Sequence, residues 1–520
     1  MGRTAVSARS NALWAVATIL LFALLLAANP VGYRGGGADD WQYLQAARCW
    51  VENGPCLPRD HWWGRWPLVA SLAGLIDIFG ESRTTLALVP FAATLGCGFL
   101  VAHIGNRLFG APAGWIAAML LLSTPVVLFE ALDPTIDAIE LLFMLAGGAL
   151  LLSAKDRGSL LFTGCAGLMF GLAFQARETS IAVLPAAGLF LLLRARPFWP
   201  AAIAFGAGAL APLLIELLVY GQATGDPLFR RHLSVAHTSL PSSEIAVATP
   251  RGALPFFRWE LIAGWQHETG ISVHWLVDGP LDVLLNAKGG WTLLAATLVL
   301  VVFGRRLDER QRRTAWRLLL LAAFAGAMLI YAFSIDPKPR MMLVPLAAGA
   351  LVLGALLVRM PRWTAAPLLL ARVAALSLVY LFEPRMAAGE AAARSWLATL
   401  PAGSVETTES TRRRLALVPD IERLPLADGS RPLLLIRTSR PCASARIHDL
   451  APPRTLRLVA EQRLGNRNPL SAKYRALCLF RYGSPEAARA LAATHDAVTS
   501  FTDEAAEPKF LQDGPDVKPN

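Results

Sequence analysis

Charged residues are scarce in this chain: Asp, Glu, Lys and Arg make up 17% of its 520 residues, whereas soluble domains carry roughly a quarter. Hydrophobic residues make up 54%, and the mean hydropathy is +0.45. A composition this poor in charge, with its apolar residues in long runs, excludes an ordinary soluble protein. Only helices and closed barrels cross lipid, and runs rich in Leu, Ala and Gly indicate helices.

Other sequence patterns are missing as well. The net charge is +11, but no basic face with base-stacking aromatics accompanies it, which argues against a nucleic-acid partner. No CxxC or His-rich run indicates zinc, and no Asp-x-Asp pair indicates a tight cation site. The first apolar run lacks a small-residue cleavage site, so we predict that it stays as an uncleaved anchor.

Eleven apolar blocks are long enough, or nearly so, to cross a bilayer. We therefore predict an α-helical polytopic membrane protein with about eleven transmembrane helices. A shorter stretch, Trp66–Gly80, follows a tryptophan cluster and is predicted to lie in the membrane interface. The blocks are residues 11–29, 84–106, 111–131, 135–153, 159–175, 180–193, 199–220, 289–303, 317–334, 341–357 and 363–382.

Basic residues sort the loops between these blocks into two sets. With the N-terminus in the cytoplasm, Arg107, Lys155 and the run GRRLDERQRRTAWR fall inside, whereas LDPTID and ARETS fall outside. An odd number of spans puts the C-terminal region outside too, where a helical stretch precedes strand-like runs such as RPLLLIRTS. The predicted parts are a transmembrane module over 1–382 with outer loops 32–83 and 221–288, an extracytoplasmic α/β domain over 383–501, and a disordered tail over 502–520.

The six cysteines divide by this topology. Two of them, Cys97 and Cys165, fall inside apolar blocks, as buried apolar residues do. The other four form two pairs in an oxidising compartment, which predicts two disulfides, with four free thiols as the alternative. The predicted pairs are Cys49–Cys56 in the first outer loop and Cys442–Cys478 in the tail domain.

Ionisable residues inside a bilayer are costly and are therefore candidates for function. At the start of the fourth block Asp133, Asp137 and Glu140 are spaced i, i+4 and i+7, on one face of a predicted helix. Asp133 before Pro134 also fits a helix cap, but capping leaves the two deeper carboxylates unexplained. The stripe predicts a polar cavity, and a divalent cation is one candidate occupant.

Other charges lie at the same membrane level, near the outer ends of the blocks. Each alone fits an interfacial side chain that reaches water. Together they indicate a cavity open to the outer face. A proton or ion pathway would need charged groups through the full depth of the membrane, and the inner halves of the blocks carry almost none. The charges at the outer ends are Glu130, Arg177, Glu178, Glu216 and Arg340.

Several motifs occur in a recognisable order. ADDWQYLQAA follows the first block, and GRWPLVASLAGLIDIFG carries a basic residue before a Pro-initiated helix. Then come ESRTTLALVPFAATLG, NRLFGAPAGWIAAMLLLSTPVVLFEALDPTIDA, ARETS, YGQATGDPLF and KPRMMLVPL. In order and spacing they resemble the GT-C glycosyltransferases of the protein-mannosyltransferase and aminoarabinose (lipid A) transferase type, which use polyprenyl-phosphate sugar donors. The resemblance covers residues 11–240 and 335–357.

The resemblance implies an inverting transfer from a polyprenyl-phosphate sugar to an envelope acceptor, at the outer face of the bacterial inner membrane. A carboxylate of the first-loop pair, Asp39 or Asp40, is then the base for the acceptor hydroxyl. Distance from the first block favours Asp39, and in an extended segment the two side chains point to opposite sides. Asp40 also fits the N-cap of a following helix. Gly35–Gly37 then let the loop turn the carboxylate into the cavity.

The resemblance also implies ligands for the donor phosphate. Arg65 and Arg340 occupy positions that are basic in relatives, and an Arg fork suits phosphate oxygens. Arg177 is a third candidate, with an ion pair to Glu178 as its alternative, whereas headgroup contact is the alternative for Arg65. Gly64 departs from the pattern, because some relatives carry an acidic residue there. The acceptor is left open among lipid, polysaccharide and protein.

Two other functions stay open at this point. A transporter or flippase for lipid-linked saccharides would share the outer cavity, but no inverted repeat of broken apolar segments is visible. A non-catalytic assembly factor would use the tail domain as a sensor. It would leave the intramembrane carboxylates without a purpose.

Overall fold

The structure is a computed structural model. It describes residues 2–28, 32–33, 38–194, 198–238, 262–265, 269–381, 386–427, 430–438, 442, 456–464 and 476–482. The predicted disordered tail over 502–520 lies outside these residues. The described part of the chain forms two compact units, the first extending to Met386 and the second starting at Ala387.

The described residues of the first unit are folded into helices. Short 3₁₀ or π segments cover Glu178–Val183, Ala287–Gly289, Gly304–Arg306, Met328–Ala332 and Pro339–Met342. The α-helices are α1 (Gly2–Ala28), α2 (Ala38–Asn53), α3 (Trp66–Phe79), α4 (Arg83–Phe109), α5 (Ala113–Leu122), α6 (Pro125–Glu130), α7 (Asp137–Arg157), α8 (Leu160–Ala176), α9 (Leu184–Arg194), α10 (Phe198–Thr224), α11 (Phe229–Thr238), α12 (Trp275–Leu285), α13 (Thr292–Phe303), α14 (Glu309–Ala327), α15 (Leu343–Arg359) and α16 (Arg362–Leu381).

Each of the eleven predicted blocks is helical, which confirms a polytopic helical membrane protein. Among the described residues, six helices are long and apolar enough to cross a membrane. The helices of the other blocks do not reach that criterion over the described residues. The helix α3 has the predicted helical form, with Pro67 in its first turn and Gly80 at its end. The six are Ser10–Ala28, Arg83–Phe109, Asp137–Arg157, Phe198–Thr224, Glu309–Ala332 and Pro339–Arg359.

The third block differs from the prediction, because it is divided into α5 and α6. Thr124 has extended backbone angles (φ −70°, ψ 129°), and Pro125 begins the second helix. A proline disfavours helical geometry at the residue before it and has no N–H to continue the ladder. The break therefore follows from the Thr-Pro step.

The helices α8 and α10 pack with their backbones in contact. A methyl group added at Gly167 would clash with the carbonyl oxygen of Phe205, and one added at Gly208 would clash with that of Gly164. Small residues permit this close approach, which is how helices associate in lipid. The two helices form a tight pair, against which α7 packs through α8.

The second unit combines α17 (Met386–Thr399) and α18 (Glu409–Arg414) with β1 (Val405–Thr407), β2 (Leu433–Thr438), β3 (Leu456–Arg463) and β4 (Ala476–Tyr482). The strand order is β1-β2-β4-β3, with β1 and β2 parallel and the other pairs antiparallel. Alternate leucines of β2 and β4 face a core that includes Trp396 of α17. The predicted α/β character is confirmed, whereas β1 was too short to show an alternating pattern.

Both predicted disulfides are confirmed. Cys49 is bonded to Cys56 at the end of α2, and Cys442 is bonded to Cys478 of β4. Cys97 is free and buried, as its place in an apolar block predicts. Cys165 is also free, but it is half-buried and not fully buried as predicted.

Alkylation checks this assignment in the full protein. We expect the denatured, unreduced chain to take up label at the two free cysteines only, and at all six after reduction. The reason is that a sulfur in a disulfide offers no thiolate to the reagent. Intact mass spectrometry gives the count, and label on Cys49, Cys56, Cys442 or Cys478 before reduction would contradict the pairing.

Candidate active site

The start of α2 carries the first-loop carboxylates. The helix begins at Ala38, so Asp39 and Asp40 both lie in its first turn, where the unpaired N–H groups favour negative charge. The prediction of an extended segment is therefore wrong, as is the N-cap position for Asp40. The two side chains still diverge, because successive helical residues are rotated by about 100°. The predicted hinge at Gly35–Gly37 lies outside the described residues.

Asp39 is held by two segments that are far apart in the sequence. The indole N–H of Trp62 donates to Asp39 Oδ1 at 2.8 Å. On the other oxygen, Arg340 Nη1 lies 2.9 Å from Asp39 Oδ2. The Asp39 side chain nevertheless keeps 21% of its exposure, so a ligand can reach it.

The charges around Asp39 keep it ionised. Burial by itself would raise the pKa of this carboxyl group, because it disfavours the charged form. The guanidinium of Arg340, with Arg65 and Arg177 further away, outweighs burial and lowers the pKa of Asp39 to about 2. In the free protein Asp39 is thus a carboxylate at any ordinary pH.

Asp40 has a different environment from its neighbour. It is 2% exposed, and one of its oxygens accepts the backbone N–H of Trp41 at 2.9 Å. A carboxylate enclosed in this way helps to fix the first turn of α2. Of the two candidates, Asp39 is therefore the one that faces accessible space.

Arg65 precedes α3 in a loop that Asp60 organises. One Asp60 oxygen accepts the backbone N–H groups of Trp62 and Trp63 at 2.9 and 3.1 Å. Arg65 is 7% exposed and donates to the hydroxyl of buried Tyr43. Its buried Nε has no hydrogen-bond partner in the described part of the chain. Arg65 thus has a donor to spare for a ligand.

The charge state of Arg65 is fixed by its neighbours. Burial disfavours the guanidinium, but Tyr43, Glu178 and Asp39 attract it and raise its pKa above the ordinary value. Arg65 therefore stays charged in a place where water is largely excluded. A buried cation there interacts strongly with any anion that enters.

Arg177 compensates the carboxylates at the start of α7. Its Nη1 contacts Asp137 and lies 3.8 Å from Glu140 Oε2. The other oxygen of Glu140 accepts hydrogen bonds from Thr179 at 3.1 Å and Ser180 at 2.9 Å. Arg177 thus pairs with Asp137 rather than with Glu178.

Asp133 does not belong to the predicted stripe. The helix α7 begins at Asp137, with Ile136 as its cap residue, so the expected single face of Asp133, Asp137 and Glu140 is wrong. Capping by Asp133 is wrong for the same reason. Pro134 keeps the preceding residue out of helical geometry, and the backbone turns at Asp133 instead.

A divalent cation does not fit the residues around Asp137. Arg177 already supplies positive charge to Asp137 and Glu140. Among the residues that the structure describes, no three His, Cys, Asp or Glu side chains are grouped as metal ligands. We therefore derive no step through a metal ion.

A small pocket lies beside these groups. Asp137, Glu140, Thr179 and Arg340 form its polar side. Because Arg340 also pairs with Asp39, the pocket and the first-loop carboxylate belong to one site. The apolar side includes Leu141, Met144, Val183, Leu329 and Val344.

Sequence reasoning missed Arg230, which lies at the start of α11. It is 4% exposed and donates to Glu178 at 2.8 Å and to Glu216 at 3.0 Å, and it also contacts Gln175. Its position is set by the preceding turn, in which Asp226 accepts the backbone N–H of Leu228. The available signals were Glu216, which had no assigned partner, and a basic residue just after YGQATGDPLF.

Comparisons with known proteins agree with the motif order. Residues 67–220 match the family model described as "Dolichyl-phosphate-mannose-protein mannosyltransferase". Over 120 residues the chain is 31% identical to "Putative mannosyltransferase YycA" of Bacillus subtilis (strain 168). That stretch is 23% of this chain and 18% of the relative. The chain thus spans less than a fifth of the length of the relative it matches.

Two solved structures show some likeness to the chain. ArnT from Cupriavidus metallidurans in the apo state has a TM-score of 0.38 at 14% identity, covering 92% of this chain and 99% of that chain. The Archaeoglobus fulgidus oligosaccharyltransferase in complex with Zn and sulfate has a TM-score of 0.45 at 13% identity, covering 81% and 67%. These scores are too low to establish a shared fold. The match to the family model nevertheless confirms, over residues 67–220, the resemblance carried by the motifs.

Proposed function

We propose that this protein is an inverting glycosyltransferase that moves a sugar from a polyprenyl-phosphate donor to a hydroxyl group of an envelope acceptor. The family match over residues 67–220 supports sugar transfer, and the donor in the family's description is a polyprenyl-phosphate sugar. Lipid, polysaccharide and protein acceptors all offer the required hydroxyl. The reaction takes place at the outer face of a bacterial plasma membrane, with the N-terminus inside and the second unit outside.

One observation carries the proposal: an ionised, accessible carboxylate lies beside two arginines, of which Arg65 is buried. Asp39 keeps 21% exposure while Arg340 lies 2.9 Å away, and Arg65 is close enough to attract it. An acceptor hydroxyl needs a base, and a departing phosphate needs cations. Both requirements are met within one group of side chains.

The chemistry balances without a further reactant. The acceptor oxygen attacks the anomeric carbon from the side opposite the phosphate, and its proton passes to Asp39. The new carbon–oxygen bond forms as the bond between the anomeric carbon and the phosphate oxygen breaks. The polyprenyl phosphate leaves with the bonding electron pair, and the configuration at the anomeric carbon is inverted.

We assign the leaving phosphate to Arg65 and Arg340. Arg65 has an unused buried donor, and Arg340 lines the pocket with 29% of its side chain exposed. Arg177 is already engaged by Asp137 and Glu140, so its role is to hold the pocket wall. Fixed donors in a site of low dielectric stabilise developing charge more strongly than water does.

Arg340 then serves two anions in turn. A carboxyl group with a pKa of about 2 is a weak base, because the arginine stabilises its charged form. When Arg340 moves to the donor phosphate, Asp39 loses that stabilisation and its pKa rises toward the ordinary value. Donor binding thereby strengthens the base before the acceptor reacts.

This exchange predicts a binding effect at Asp39. Asp39→Asn should tighten the binding of undecaprenyl phosphate by up to about fivefold, since a partly exposed ion pair competing for Arg340 is worth up to about 1 kcal/mol. Tryptophan fluorescence or scintillation proximity with the purified protein measures the Kd. In an Arg340→Gln background most of the gain should disappear. A gain of equal size in both backgrounds would mean simple charge repulsion instead of exchange.

Sugar transfer itself is tested in proteoliposomes. The full chain is supplied with a labelled polyprenyl-phosphate sugar and with an envelope extract from cells that lack this protein. The label transferred to the acceptor is then counted. Transfer that depends on Asp39 supports the proposal. Label that crosses the bilayer while still attached to its lipid would point to a flippase and overturn it.

A further inference from the structure

We propose that Arg230 is a positioning residue for Arg65: it holds the turn Trp62–Arg65 and the carboxylate of Glu178 where Arg65 can meet the donor phosphate. This inference rests on the proposed function, because it concerns the site for the same phosphate. It adds a residue that lies outside the matched family segment and outside the motifs seen in the sequence.

Arg230 is held by acceptors from three segments of the fold. Its guanidinium donates to Glu178 Oε1 at 2.8 Å and to Glu216 Oε2 at 3.0 Å, and it contacts Gln175 as well. These acceptors come from α8, the turn after it, and α10. A planar fork fixed by three acceptors on separate elements has one available position.

The aliphatic stem of Arg230 contacts the first outer loop at Gly64. A Cβ atom added at Gly64 would lie 3.3 Å from Cγ and 3.4 Å from Cδ of Arg230. Gly64 belongs to a turn closed by the hydrogen bond from the N–H of Arg65 to the carbonyl of Trp62, at 3.1 Å. The stem of Arg230 therefore packs on the turn that carries both Trp62 and Arg65.

The carboxylate of Glu178 interacts with both Arg230 and Arg65. Glu178 is hydrogen-bonded to Arg230 and is close enough to Arg65 to attract it. While Arg230 binds Glu178, that carboxylate does not occupy the donors of Arg65. Arg65 can then donate to Tyr43 and to a ligand. Without Arg230, Arg65 is the arginine in the described part of the chain that still attracts Glu178. Glu178 then competes with the phosphate for Arg65.

A role in the fold alone would give a different result from a positioning role. If Arg230 only neutralised Glu178 and Glu216, its loss would lower stability and leave the donor Kd of the folded fraction unchanged. If it acts through Arg65, its loss weakens binding, and the weakening vanishes once Arg65 has been removed. The two cases separate in a double-mutant cycle.

The experiment measures the Kd of undecaprenyl phosphate for the purified full chain. Arg230→Lys keeps the charge and loses the fork, so we expect the Kd to rise by about tenfold, the order expected when a charge-assisted hydrogen bond is lost. In an Arg65→Gln background the same substitution should leave the Kd unchanged. Arg231→Ala changes the exposed neighbouring arginine and should have no effect.

A second variant keeps the inference testable if Arg230→Lys does not fold. Gly64→Ala adds one methyl group against the stem of Arg230 and should raise the Kd in the wild-type background but not with Arg65→Gln. An unchanged Kd in the folded variants, or equal losses with and without Arg65, would overturn the inference. Wild-type protein that does not bind undecaprenyl phosphate would instead overturn the proposed function, and this inference with it.

Discussion

Asp39→Asn is expected to lower the rate of sugar transfer by about 100- to 10,000-fold, the range that a positioned general base contributes. Asparagine has nearly the same shape and can still accept the indole N–H that Trp62 donates to Asp39, but it takes no proton at neutral pH. The defect should therefore lie in kcat, with the donor still bound. Initial rates in proteoliposomes at saturating donor measure it.

Asp40→Asn is the matched control for this prediction. Asp40 is 2% exposed, so an isosteric change there should leave transfer within a few-fold of wild type. The Asp39 variant should also keep its thermal stability, because a partly exposed ion pair contributes at most about 1 kcal/mol. Full transfer by both variants would remove the catalytic assignment, and loss confined to Asp40→Asn would reassign the base.

Arg177→Met is expected to destabilise the first unit by about 3–5 kcal/mol, since it leaves buried carboxylates without their cation. The Arg177 and Asp137 side chains are 6% and 2% exposed, and Glu140 lies 3.8 Å from the same guanidinium nitrogen. Methionine is similar in length and apolar, so the effect comes from charge more than from volume. The apparent Tm in detergent, followed by size-exclusion chromatography, measures the loss.

Neutralising the partner tests the cause of that loss. Asp137→Asn in the Arg177→Met background should recover part of the stability, because only Glu140 then remains to be neutralised. The same Asp137→Asn change in the wild-type background should be destabilising. If the double variant is no more stable than Arg177→Met alone, the lost stability arises from packing and not from unpaired charge.

Much of this fold could be predicted from the sequence because lipid leaves few solutions. Every apolar block had to be helical to satisfy its backbone, and the helices are found where the blocks were. The disulfides followed from which cysteines shared an outer segment. The strands β2 and β4 were visible as short apolar runs, and the pairing of β1 with β2 was not, since it depends on contacts distant in the chain.

The site was harder to predict, because periodicity does not report where a helix begins. Asp133 and Asp137 fit a helical spacing, yet the helix starts at the second of them. Pro134 gave no warning of this, because proline is well tolerated in a first helical turn. Arg230 could not be found from spacing, because its acceptors lie on other elements of the fold. The pairing of Asp39 with Arg340 likewise needs tertiary structure, although each residue had been singled out by resemblance.

The contact between α8 and α10 has a consequence for motion. Where Gly167 and Gly208 bring the backbones together, the two helices have little freedom to slide or separate. Gln175 of α8 and Glu216 of α10 both bind Arg230. Because these two helices are held together, we expect the distance between Gln175 and Glu216 to stay constant. Any displacement that admits the polyprenyl chain of the proposed donor is therefore expected in the segments that carry Asp39 and Arg340. Arg230, fixed by α8 and α10, is expected to keep its position while the donor binds and the product leaves.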